Sequence, residues 1–177
     1  MKIVRVAILG SDSTRKGTFI ETLTGMKIFS VSYTPNEEFV DHPDAPNRID
    51  ATFGRLYVRE DLIIDFFSYT PDKSLTSLYA ILGNELMGII FYMDMMQKES
   101  IDYAKKIYEK VLTENQTPYI MVGDLRSGNE PVMNFESAHS YLGLNQDTLI
   151  VPCNADNKDS VKTITDFLFE TIKMNTK

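Results

Sequence analysis

Apolar residues along this chain fall into short runs of strand length, and these alternate with stretches in which apolar positions recur every three or four residues. The continuous or period-two runs at 3–9, 51–58, 62–67, 87–93, 119–123 and 148–151 are predicted strands. Helical spacing predicts helices over about 16–24, 73–83, 98–113, 134–142 and 159–174. Only Arg59-Glu60-Asp61 separates the second run from the third, so those two are expected to form an antiparallel hairpin. The other strands each follow a helix and are expected to run parallel. This order predicts an α/β domain of three layers. Its six-stranded, mostly parallel sheet carries one antiparallel edge strand, with about five helices packed on its two faces. The stretch 29–47, rich in Pro, Asn and acidic residues, reads as an irregular loop.

At 177 residues the chain is most simply one domain, 1–177. A net charge of −7 without a Lys/Arg cluster argues against nucleic acid and against an anionic membrane surface as partners. No apolar run reaches the roughly 18 residues that span a bilayer, so no membrane insertion is expected. The N-terminus lacks the charged-then-apolar pattern of a secretory signal, and a cytoplasmic protein is expected. Cys153 is the single cysteine, which forbids an internal disulfide; with only His42 and His139 beside it, no zinc or other metal site is expected. An acidic domain of this kind is expected to meet a protein partner or a small ligand.

The candidate chemistry lies between the first strand and the first helix. Gly10-Ser11-Asp12-Ser13-Thr14-Arg15-Lys16-Gly17-Thr18 is laid out like a phosphate-binding loop, G-x-x-x-x-G-K-[ST], in the place where such a loop belongs. In a working loop two glycines let backbone N–H groups close around phosphate, and the hydroxyl after the lysine holds Mg²⁺. Here Arg15 stands at the second glycine and Gly17 at the hydroxyl residue. Lys16 keeps the point charge for a phosphate oxygen, whereas Thr18, one residue on, points elsewhere on a helix. The phosphate-loop candidates are therefore Gly10, Ser13, Thr14, Lys16, Gly17 and Thr18. The alternative is a plain strand–turn–helix with Arg15 and Lys16 solvated at the helix start.

The segment Pro46-Asn47-Arg48-Ile49-Asp50-Ala51-Thr52-Phe53-Gly54-Arg55-Leu56 resembles the P-T-T-x-x-x-D-F-G-R-L segment of bacterial Ras-like GTPases related to the gliding-motility protein MglA. Phe67-Ser68-Tyr69-Thr70-Pro71-Asp72-Lys73 is similar to that family's F-G-T-P-G-Q. Residues 118–128 resemble its base-recognition strand and loop, and Val151-Pro152-Cys153-Asn154-Ala155 its last loop. The resemblance spans nearly the whole chain and implies a Ras-like fold of the P-loop class, a role as a switch or a switch-shaped scaffold, and a Roadblock/LC7 protein as partner.

Carried over residue by residue, the resemblance also implies losses. Arg48 aligns with the metal-coordinating threonine, Asp72 with the glycine that senses the γ-phosphate, and Lys73 with the water-orienting glutamine. Asp124-Leu125-Arg126-Ser127 replaces the Asn-Lys-x-Asp that reads guanine, with Asp124 at the asparagine. Asn154 and Ala155 fit the last loop. Asp124, Asn154 and Ala155 are thus the base-side candidates, and no residue is assigned as catalytic. Losing the acceptor of a base's donor pair removes discrimination of several kcal/mol, as an order of magnitude. The reading that follows is a pseudo-GTPase serving as a protein-interaction module, with no cofactor expected. The alternatives are a divergent active GTPase whose partner supplies the missing groups, and a domain that holds GTP, GDP or another anion without standard Mg²⁺ coordination.

Overall fold

The structure is a computed structural model and describes residues 2–33, 49–70, 86–114, 117–126 and 130–175. Along these run β1 (Lys2–Leu9), α1 (Ser13–Thr24), β2 (Phe29–Tyr33), β3 (Ile49–Arg59), β4 (Leu62–Tyr69), β5 (Leu86–Asp94), α2 (Lys98–Glu114), β6 (Tyr119–Asp124), α3 (Phe135–Leu142), β7 (Ile150–Cys153) and α4 (Lys158–Asn175). The strands form one sheet in the order β2-β3-β4-β1-β5-β6-β7. β1 pairs in parallel with β4 and β5, and β5, β6 and β7 continue in parallel. β3 is antiparallel to both β2 and β4.

The hairpin β3–β4 is as expected, but the sheet has seven strands where the pattern predicted six. β2 forms the outer edge, so β3 is not the edge strand. Phe29-Ser30-Val31-Ser32-Tyr33 alternates apolar and polar at period two, which suits an edge strand. Its brevity and the Pro- and acid-rich residues after it make it read as part of a loop. The rest of that loop, and the helix expected over 73–83, lie outside the described residues, among which four helices are placed.

Alternation along the strands builds a core on each face. Val4, Val6 and Ile8 of β1, with Ile64, Phe66, Ile90, Val122 and Val151 from its neighbours, pack against Phe19, Ile20 and Leu23 of α1 and Val161, Ile164 and Leu168 of α4. On the other face Ala7, Leu9, Ile89, Phe91 and Met121 meet Ile101, Ala104, Ile107 and Val111 of α2 and Ala138 and Leu142 of α3. Hence β1 and β5 are apolar on both sides and read as continuous runs, as parallel strands covered on two faces do.

Asp12 caps α1 and Asn134 caps α3, and both helices close on a left-handed glycine, Gly25 and Gly143. Gly54 lets β3 approach α1, because a Cβ there would run into Ile20 Cγ2. Three layers around this sheet order give the Ras-like α/β fold. Its parallel strands bring their carboxyl ends together beneath the loop that opens α1 and the loops that follow β5, β6 and β7, the usual place for a ligand site in an open α/β sheet.

Candidate functional site

At the carboxyl end of β1, Gly10 is pressed against β5: a Cβ at this position would collide with the carbonyl oxygen of Tyr92. The first glycine of the loop therefore has a packing reason of its own. Asp12 then takes the N-cap of α1, its carboxylate accepting from Arg15 N–H at 2.9 Å while its carbonyl accepts from Lys16 N–H at 3.1 Å. A helix N-terminus attracts an anion, and here that anion is the chain's own side chain. Ser13 and Thr14 are exposed on the first turn. Thr18 donates its hydroxyl back to Thr14 O at 3.1 Å and is turned away from the loop. Gly17 is buried, and a Cβ there would stand 2.8 Å from Ile28 Cδ1.

Lys16 is fully buried. Its ammonium donates to Gly10 O at 2.6 Å, Tyr69 O at 2.7 Å and Thr70 Oγ1 at 2.7 Å, and the Thr70 hydroxyl in turn donates to Gly10 O. Three donors meet three acceptors, which ties the loop before α1 to the end of β4. Burial pulls the amine down to about 7, with the charge of Asp12 opposing the shift.

Arg15 overturns the expectation of a solvated pair. Its side chain is only 11% exposed and crosses the mouth of the site to Asp124, the last residue of β6. Nε donates at 2.6 Å and Nη2 at 3.1 Å to the two carboxylate oxygens, while Nη1 donates at 2.8 Å to Asp156 in the loop after β7. This is the fork-on-fork geometry that suits guanidinium and carboxylate. The Asp124 hydrogen bonds are the largest influence holding the guanidinium above its usual range. Asp124 is buried and also accepts from Ala155 N–H at 3.0 Å. Asn154 shapes the same loop, its side chain accepting from Asp156 N–H and its own N–H donating to Ser160 Oγ.

A second ion pair lies alongside. Buried Asp94, at the end of β5, accepts from Arg126 Nη2 at 2.7 Å and from Met96 N–H at 2.9 Å, and Arg126 also lies 3.8 Å from Asp12. Among the described residues no three His, Cys, Asp or Glu side chains are placed to hold a metal ion, and no helix is long and apolar enough to cross a membrane.

Of the sequence-derived candidates, Gly10 and Lys16 form one bonded unit, and Asp124, Asn154 and Ala155 form another. Ser13, Thr14 and Thr18 contribute no side-chain contact to either. His42, Arg48, Asp72, Lys73 and Ser127 lie outside the described residues. Arg15, Arg126 and Asp156 were not among the candidates. The sequence held a signal for the first of these: a glycine replaced by arginine and an asparagine replaced by aspartate are departures of opposite charge, which suggests that the two new side chains meet.

No family model matches the chain. It is similar to ADP-ribosylation factor-like protein 3 of Saccharomyces cerevisiae, 22% identical over 184 aligned residues that cover 97% of this chain and 87% of that protein. This likeness runs nearly end to end and agrees with the topology, and it supports a relationship to Ras-like small GTPases.

Proposed function

We propose that this chain is a pseudo-GTPase, a Ras-like domain that works as a protein-interaction module rather than by turning over nucleotide. The observation that carries the reading is the Arg15–Asp124 pair, which joins the first turn of α1 to the end of β6 on the base side. A Mg²⁺-bound guanine nucleotide does not suit these residues. The Asp12 carboxylate holds the helix N-terminus against an incoming phosphate by like charge. Lys16 is engaged by three acceptors, and Gly17 supplies no hydroxyl for a metal. The Pro46–Leu56 resemblance supports a place in a Roadblock-type signalling or motility system, in the cytoplasm and with a Roadblock/LC7 protein as partner.

Two experiments test this. Denatured, purified protein is analysed for nucleotide by ion-exchange chromatography, and the native protein is titrated calorimetrically with GTP, GDP and ATP in the presence of Mg²⁺. An empty protein with no heat of binding is expected; stoichiometric guanine nucleotide would support the divergent active GTPase instead. The double variant Arg15→Gly with Gly17→Thr restores the loop's consensus, and it is expected to release no phosphate from GTP. A robust hydrolysis rate from it would overturn the reading.

A further inference from the structure

We propose that Asp124 and Asp156 form a guanidinium-binding pocket that the chain fills with its own Arg15, an internal ligand whose removal opens the pocket to a monosubstituted guanidinium, the chemistry of an arginine side chain. The inference rests on the reading that these loops do not serve a nucleotide.

The geometry is that of a receptor. Asp124 offers both oxygens to two parallel N–H groups of the guanidinium, and Asp156 takes the third nitrogen from the opposite edge. Ala155 N–H fixes the orientation of the Asp124 carboxylate at 3.0 Å. The three parts come from different elements: Asp124 ends β6, Ala155 and Asp156 follow β7, and the occupant comes from α1.

Tyr92 of β5 supplies an independent observation. Its hydroxyl is buried, with the residue 1% exposed, and it has no hydrogen-bond partner. Burial holds its phenol above the usual range, and the next largest influence is the charge of Asp124, with Arg15 opposing. The Tyr92 hydroxyl thus lies close to the carboxylate that receives the guanidinium, without a well-formed hydrogen bond of its own. A planar fork satisfies two carboxylates from two edges at once, whereas an ammonium, a compact point charge, meets the Asp124 pair through one nitrogen only.

The test is chemical rescue of thermal stability. In Arg15→Ala the melting temperature is expected to fall, and methylguanidinium is expected to raise it again by about 3–6 °C at roughly ten times a millimolar Kd. Methylammonium at the same concentration and ionic strength is expected to do nothing, as is methylguanidinium added to the wild type, whose pocket is full. Equal effects of the two cations on the variant, or no effect of either, would overturn the proposal.

Arg15→Lys keeps the charge and most of the length, so it serves if the alanine variant does not fold. It is expected to melt below the wild type, and a melting temperature equal to the wild type's would show that the fork is not read. The rescue is separate from the nucleotide titration. Guanine nucleotide bound to the wild type would overturn the pseudo-GTPase reading, whereas failed rescue with an empty wild type would overturn only the pocket.

Discussion

The ion pair at the mouth of the site should behave as a single energetic unit. Asp124 accepts three hydrogen bonds, two from Arg15 and one from Ala155 N–H, and is buried. Arg15→Ala removes two charge-assisted bonds to Asp124 of about 1.5–3 kcal/mol each and an exposed one to Asp156, and leaves a carboxylate in the interior with one donor. Breaking a buried pair from one side costs about 3–5 kcal/mol. Asp124→Asn retains an acceptor for Ala155, and Arg15 keeps Asp156, an exposed partner at 61% side-chain exposure. That variant is expected to lose about 2–3 kcal/mol. With both changes made, no charge is stranded and the total loss should not exceed about 3 kcal/mol, so the coupling is at least about 2–5 kcal/mol.

Urea unfolding followed by circular dichroism at pH 7 and fixed ionic strength measures all four corners of the cycle. A domain of this size has on the order of 5–15 kcal/mol to lose, and the far-UV spectrum without urea checks that each variant is folded at the start of its titration. Coupling within about 0.5 kcal/mol of zero is ordinary additivity. Finding it would refute the claim that Arg15 and Asp124 hold each other in place.

Lys16→Met should change the pH dependence of stability. The folded amine lies at about 7 and its ordinary value is 10.5, so between these the unfolded chain binds the extra proton and stability rises with pH. Relative to the variant, the wild type is expected to gain about 2 kcal/mol from pH 7 to pH 9, and a flat difference between the two in urea melts would refute this. Gly54→Ala forces a methyl against Ile20 Cγ2 and should cost about 2–3 kcal/mol, less when combined with Ile20→Ala than the two single losses added together; the same melts measure it. The Cys153 thiol is buried and pushed up to about 12 by burial and the charge of Asp124. At pH 8 it should react with a disulfide reagent only at the rate of unfolding, and rapid stoichiometric labelling of the native protein would contradict that burial.

The layers of the fold were legible because the strands that carry them are apolar on two faces and the helices on one. Those patterns persist whichever side chain fills a position. β2 is not legible in the same way, since an edge strand of five residues offers only the alternation Phe29-Ser30-Val31-Ser32-Tyr33, which turn-forming neighbours outweigh. The site was harder to read for a different reason. Against its own consensus, Arg15 reads as an obstacle and Asp124 as a lost asparagine, although the two, 109 positions apart, bond to each other. Nothing local in either segment encodes that pairing, which the sheet order creates by setting the ends of β1, β5 and β6 side by side.

Gly10 and Lys16 bear on how far a motif can be read as an activity. The glycine is required by the backbone of β5 and the lysine by two carbonyls and a hydroxyl of its own chain. Each therefore has a structural role whether or not a phosphate ever arrives. A domain of this fold that binds no nucleotide would need the same two letters of the motif to hold its loop and its sheet together. Their presence in the sequence speaks for the architecture and says nothing of the activity.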